Sequence, residues 1–344
     1  MPFRDIVGNA RAKVILRMAL SRGRVPNSLL FCGPRGVGKR KTARVLAQAL
    51  NCLRLRDDAC GECGPCRAIE VTDKKDKRGT FPDVLEIDIA ADKTVVTIDQ
   101  MRELRRLAYL KPMAGKRRVF IVTAADSMED DAANALLKIL EEPPLFTQII
   151  LLSENPSLIL PTIKSRCRVL AFLPVSDEEV ERALLEKGVE TEKARIIALV
   201  CHGNMEQALD VDWDDVQAER GRAWELFADL AGGEDPAAMV RRFGASRRKD
   251  IREDLSRTLE LLSAFGRDAV LLAEGGDPGR LINPDYEEDL RPLAAVLGAE
   301  RALAFVRRTQ AAASTFERNG NINLLLVSFG AQWWGAAESP RMIP

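Results

Sequence analysis

The chain has 344 residues, 46% of them apolar, with Lys+Arg and Asp+Glu balanced at 51 each. Such a length and apolar content predict two or three packed domains, and the zero net charge excludes a protein that holds nucleic acid by bulk positive charge. Aromatic residues make up 5%, which argues against base-stacking platforms.

The N-terminus, Met1-Pro2-Phe3-Arg4-Asp5, has no apolar signal core. No apolar run approaches membrane-spanning length, so a cytoplasmic protein with no membrane partner is expected. The first strong element is an apolar strand, Ser28-Leu29-Leu30-Phe31-Cys32, followed by Gly33-Pro34-Arg35-Gly36-Val37-Gly38-Lys39 and a helix over 41–50. Strand, Gly-rich turn and helix N-terminus form the setting in which backbone N–H groups cradle phosphate and a Lys neutralises it. Gly33, Gly36, Gly38 and Lys39 are therefore the candidate nucleotide-binding residues. The next position should carry the Ser or Thr hydroxyl that holds Mg²⁺, and it carries Arg40. Thr42 lies two residues further along the helix and is a poor substitute.

Four cysteines follow within one short segment: Cys52, then Cys60-Gly61-Glu62-Cys63-Gly64-Pro65-Cys66. Overlapping C-x-x-C pairs with Gly and Pro between them make tight knuckles that turn successive thiolates toward one ion, and Cys52 supplies a fourth corner. A structural Zn²⁺ is the favoured reading; an iron–sulfur cluster or a disulfide are the alternatives. The remaining cysteines, Cys32, Cys167 and Cys201, lie among apolar residues and read as packed thiols.

Residues 84–88 read as a strand, and 98–110 as a helix with Ile98, Met101, Leu104 and Leu107 on one face. Arg118-Val119-Phe120-Ile121-Val122 is a further strand. Its end should bear the Asp that holds Mg²⁺ and a Glu that activates water, but Thr123 and Ala124 stand there and Asp126 comes three residues late. A helix over 132–140 is stopped by Pro143 and Pro144, and 148–152 is a short buried strand. Repeated βα units predict a parallel sheet covered by helices on both faces.

After Phe172-Leu173-Pro174 the strands give out. Ser176 and Glu179 form a capping box that starts a helix ended by Gly188; a second helix covers 192–201 and a third begins at Met205. His202, the only histidine, sits at a helix end and reads as a cap or packing residue. From Val211 onward the chain is nearly all helical, with stripes such as Leu255, Leu259, Leu262 and Phe265.

An ordered set of motifs then carries a resemblance. Phe3-Arg4-Asp5-Ile6-Val7-Gly8-Asn9, the phosphate loop, the four cysteines, Asn134-Ala135-Leu136-Leu137-Lys138-Ile139-Leu140-Glu141-Glu142-Pro143-Pro144 and Pro161-Thr162-Ile163-Lys164-Ser165-Arg166-Cys167 span about the first 210 residues. In this order they resemble the bacterial clamp-loader AAA+ subunits of DNA polymerase III. The C-terminal helices match only through Phe316-Glu317-Arg318-Asn319-Gly320-Asn321-Ile322-Asn323-Leu324.

The resemblance implies an α/β AAA+ P-loop core over 1–174 with a Cys₄ insertion near 52–66, a small helical lid over 175–210 and an all-α collar over 211–344. It further implies a hetero-pentamer with gamma/tau- and delta-type subunits, acting on a sliding clamp and primer–template DNA. Arg40, Thr123, Ala124 and Glu206, at the place of a nucleotide-sensing Arg, resemble the delta-prime type, whose own ATP binding is doubtful. Such a chain is a non-catalytic subunit of a DNA-directed DNA polymerase holoenzyme, a nucleotidyltransferase. Arg166 is then an arginine finger for a neighbour's ATP site. An active gamma/tau-type ATPase and a zinc-containing nucleic-acid binder with a relic P-loop are the alternatives.

Overall fold

In the computed structural model, which describes residues 2–70, 81–90, 93–232 and 251–317, the chain divides into two compact units. The first comprises Met1–Gly188 with Cys201–Leu209, and the second Val189–Val200 with Asp210–Pro344.

Among the described residues, the first unit holds a five-stranded parallel sheet with helices on both faces. Its strands are β1 (Ser28–Cys32), β2 (Val84–Ile87), β3 (Arg118–Val122), β4 (Thr147–Ser153) and β5 (Arg168–Ala171), in the order β2-β3-β4-β1-β5. Alternation along the strands sorts the side chains into two cores. Leu29, Phe31, Val119, Ile121, Ile150 and Leu152 pack with helices α1 (Ala10–Ser21), α2 (Lys39–Asn51) and α3 (Gly64–Glu70). Leu30, Cys32, Phe120, Val122, Ile149 and Leu151 pack with α4 (Ile98–Ala108), α5 (Asp130–Glu141) and α6 (Pro161–Lys164). Both faces are covered, so β1, β3 and β4 read as continuous apolar runs. Strand β5 differs: only Leu170 is buried, on an edge strand opened by Arg168, and the sequence carries no periodic signal for it.

A buried ion pair braces the start of β3. Arg118 meets Asp83 at 2.9 Å, and the Asp83 carboxylate also accepts the backbone N–H groups of Met113, Ala114 and Gly115. Burial pushes the Asp83 carboxyl up, but these donors outweigh it and hold its pKa below the ordinary value.

Helix α7 (Asp177–Glu186) begins at the expected capping box, with Ser176 accepting from the Glu179 N–H and Glu179 reaching back to the Ser176 N–H. Helix α8 (Thr191–Val200) belongs to the second unit and α9 (Met205–Asp210) to the first. Between them His202 adopts a left-handed conformation (φ 46°).

The second unit is helical, with α10 (Trp213–Gly232), α11 (Ile251–Ala273) and α12 (Glu287–Glu317), the last interrupted by non-helical Gly298. Leu255, Leu259, Leu262 and Phe265 form the expected buried stripe, with Phe265 stacked on Phe227 and edge-on to Tyr286. Residues 318–324 of the C-terminal motif and the tail beyond Trp334 lie outside the described residues.

Candidate functional site

The Gly-rich loop lies between the end of β1 and the start of α2, and its lysine side chain turns back onto the loop. Lys39 Nζ donates to the carbonyls of Gly33 and Pro34, both at 2.6 Å. Burial lowers the pKa of Lys39, while the nearby Glu154, Asp126 and Glu206 carboxylates work to raise it. Three carboxylates therefore act on the Lys39 ammonium. Gly36 (φ 73°) carries Asn204 directly above it, since a Cβ there would lie 1.5 Å from Asn204 Oδ1. The Glu206 N–H donates to the Gly36 carbonyl, which fixes the start of α9 on the loop. Asn9 ties the N-terminal motif to the same place: its side-chain amide donates to Val37 and Leu173 carbonyls and its oxygen accepts the Leu173 N–H.

Arg40 stands where a hydroxyl ligand is expected. Its Nε and Nη2 donate to Glu86 Oε2 at 2.9 and 2.7 Å, and its Nη1 donates to Asp88 at 3.4 Å. Arg44, one turn further along α2, pairs with the same Glu86. The Glu86 side chain is 5% exposed. Burial raises its pKa, and the two guanidinium groups outweigh that and hold it below the ordinary value. At the end of β3, Thr123 Oγ1 donates to the Ile87 carbonyl or to Asp88 Oδ1, continuing the network. Asp126 is engaged elsewhere, accepting from Ser153 Oγ and from the Glu154 and Asn155 N–H groups. Thr42 is buried and bonded to the Gly38 carbonyl.

The four cysteines converge as the spacing predicts. The Sγ atoms of Cys52, Cys60, Cys63 and Cys66 all lie within 4.8 Å of one another. Tetrahedral zinc with Zn–S bonds of about 2.3 Å needs sulfur–sulfur edges of about 3.8 Å; Cys60 and Cys66 are 4.0 Å apart. That separation is twice a disulfide bond, and all seven cysteines are free. Backbone N–H groups of Leu55 and Cys63 donate to Cys52 and Cys60. Burial opposes ionisation of Cys60, yet the N–H groups of Cys63 and Glu62 and its thiol neighbours lower its pKa to about 6. This donor set suits a soft or borderline divalent metal with no open coordination position.

Arg166 lies just past α6, beside the C-terminus of α5. Its Nε and Nη2 both donate to Glu141 Oε1, at 2.9 and 2.5 Å. Its Nη1 donates to the Thr162 carbonyl at 2.9 Å and to Ser165 Oγ at 3.3 Å. The Arg166 side chain is 34% exposed and that of Glu141 is 48% exposed.

The profile of the family described as "DNA polymerase III, delta subunit" matches residues 8–176. The delta' subunit of Bacillus subtilis DNA polymerase III is 32% identical over 221 residues, covering 64% of this chain and 64% of that protein. The tau subunit of the same organism is 30% identical over 293 residues, covering 81% of this chain and 48% of that protein. This chain belongs to the DNA polymerase III clamp-loader AAA+ family. It spans 57% of the length of the similar gamma subunit of Buchnera aphidicola. Among the described residues, no helix is long and apolar enough to cross a membrane.

Within this clamp-loader chain the sequence pattern locates the loop, the cysteines and Arg166 but misses their partners. Glu86 and Asp88 left a usable signal: two carboxylates at strand spacing in an otherwise apolar segment, matched by two arginines at helical spacing. Arg40 and Arg44 meet those carboxylates. Asn204 above Gly36 left no local signal, because its placement depends on how the chain returns to the loop after α8.

Proposed function

We propose that this chain is a delta-prime-like clamp-loader subunit. It hydrolyses no ATP in its own pocket and lends Arg166 to the ATP site of a neighbouring gamma/tau-type subunit, so that the complex loads a sliding clamp onto primed DNA. Partners in this reading are gamma/tau- and delta-type subunits in a hetero-pentamer, the clamp and primer–template DNA. The reading divides the chain into a P-loop core to 174, a lid over 175–210 and a collar from 211. The Cys₄ cluster holds structural Zn²⁺.

The observation that carries it is Arg40. Mg²⁺ takes oxygen ligands in a near-octahedral shell, and a guanidinium has no lone pair to give. Arg40 instead ties α2 to Glu86 and Asp88, while Thr123 and Ala124 offer neither a carboxylate ligand nor a base. Arg166, by contrast, keeps part of its guanidinium at the surface. A planar cation supplied in trans offsets charge developing on a transferred phosphoryl group.

A second reading, an active gamma/tau-type ATPase, draws support from the similar tau and gamma chains and from the intact Gly33, Gly36, Gly38 and Lys39. Phosphate release by the isolated chain at saturating Mg·ATP separates the two. Release at buffer level supports the non-hydrolysing subunit; turnover that Lys39→Ala abolishes selects the ATPase. In the reconstituted complex, Arg166→Ala should lower clamp- and DNA-stimulated turnover while leaving assembly intact.

A further inference from the structure

We propose that Glu141 is a positioning residue for Arg166, presenting its guanidinium to the neighbour's phosphoryl group; this rests on reading Arg166 as a finger in trans. A flexible Arg at a subunit boundary must lose rotamer freedom before it can act, and an anchor that has already fixed it removes that cost from the transition state. Glu141 supplies such an anchor. One oxygen, Oε1, receives both Nε–H and an Nη2–H, which fixes the plane of the guanidinium and one of its edges. The Thr162 carbonyl and Ser165 Oγ take Nη1 from the other side.

The anchor has a firm base. Glu141 is the last residue of α5, whose Leu136, Ile139 and Leu140 are buried in the sheet's second core. Arg166 follows α6, whose Ile163 enters the same core. The spacing between the two backbones is thus set by packing, and the side chains bridge it. The pair itself is exposed, so it is weak. Weakness suits an anchor that must give way: Nη2 retains a second N–H, and a phosphate of higher charge density can draw it away from Oε1 without a large penalty.

A positioning role and a masking role predict opposite results. If Glu141 merely neutralised Arg166, removing its charge would raise turnover. If it positions the guanidinium, the hydrogen-bond acceptor matters more than the charge. Glu141→Gln keeps an acceptor oxygen and Glu141→Ala does not.

The test uses the complex reconstituted with gamma/tau- and delta-type subunits, matched for assembly by gel filtration, with steady-state ATP hydrolysis measured in the presence of clamp and primed DNA. Glu141→Ala should lower kcat by about two- to fivefold, the range an exposed ion pair supports, with KM for ATP unchanged. Glu141→Gln should recover most of that loss. In an Arg166→Ala background, Glu141→Ala should add nothing. Raised turnover in both Glu141 variants, equal loss in both, or an additive effect in the Arg166→Ala background would each overturn the assignment. If Arg166→Ala alone leaves turnover unchanged, the finger reading fails first and Glu141 falls with it. If Arg166→Ala lowers turnover and Glu141→Ala does not, the positioning role alone fails.

Discussion

At the phosphate loop, Glu86 receives Arg40 and Arg44 in a place that leaves its side chain 5% exposed; at the outer corner, Glu141 receives Arg166 where its side chain is 48% exposed. The functional groups are the same and the burial differs. A buried carboxylate must keep its partners, because losing them leaves a desolvated charge. An exposed one can exchange a partner for water or for a more highly charged anion at little cost. At the loop, Lys39 likewise turns onto the Gly33 and Pro34 carbonyls, and Asn204 is seated over Gly36. The Arg166 corner remains exchangeable.

The largest expected effect tests whether the loop's framework extends along α2, whose first residues hold the Arg40 and Arg44 network and whose C-cap is Cys52. Cys63 and Cys66 are buried in the core that also contains α1 and α2. Zinc binding is worth on the order of 10 kcal/mol in small zinc-finger peptides. Chelation, or Cys63→Ser, should destabilise the first unit by several kcal/mol, about 3 or more, with loss of one metal per chain by elemental analysis. Unchanged metal content and unchanged thermal stability would show that the cysteines hold no structural ion.

Next in size is Glu86→Ala, expected to cost about 2–3 kcal/mol, below the 3–5 typical of a broken buried pair because both arginines reach solvent. Urea denaturation measures it. The pH dependence has a definite sign. Glu86 and Asp83 both have pKa values lowered in the folded state, so their contribution is present above the unfolded carboxyl values near 4 and is lost as the pH falls through the folded ones. Glu86→Gln should flatten the acid side of the stability profile. An unchanged profile would mean that the network contributes little and that the contrast with Glu141 is overstated.

A sharper test of the same contrast is Arg40→Thr, which returns the hydroxyl that the loop pattern expects. Glu86 keeps Arg44, so the stability loss should be about 1 kcal/mol. ATP turnover should stay at buffer level, since Thr123 and Ala124 still lack a carboxylate and Asn204 still covers Gly36. Gain of hydrolysis from this single change would show that Arg40 alone had silenced the site.

These outcomes also mark what the sequence could carry. Strands such as β1 and β4 were legible because burial on both faces makes them unbroken apolar runs, and the capping box at Ser176 was legible because its hydrogen bonds are local. The cysteine cluster was legible because its ligands, apart from Cys52, fall within seven residues. What escaped was non-local: Glu86 lies 42 residues from Arg44, and Asn9 lies 164 from Leu173. Edge strand β5 escaped for a different reason, since one buried side chain leaves no period to read.

The smallest expected change in stability belongs to Arg166→Ala, and its smallness is the point. Glu141, left alone, stays hydrated at 48% exposure, and the Thr162 carbonyl freed from Nη1 lies at an exposed site where water can replace the guanidinium. Exposed pairs contribute about 0–1 kcal/mol, so the urea midpoint of the isolated chain should move by no more than that corresponds to. Arg118 serves as the control, because it faces fully buried Asp83 and its removal should cost about 3–5 kcal/mol. A loss of about 2 kcal/mol or more from Arg166→Ala, beyond what an exposed pair supports, would place Arg166 with Arg118 among the framework arginines. Lowered turnover of the assembled complex could then no longer be read as the loss of a finger, since the same change would already have loosened the end of α5.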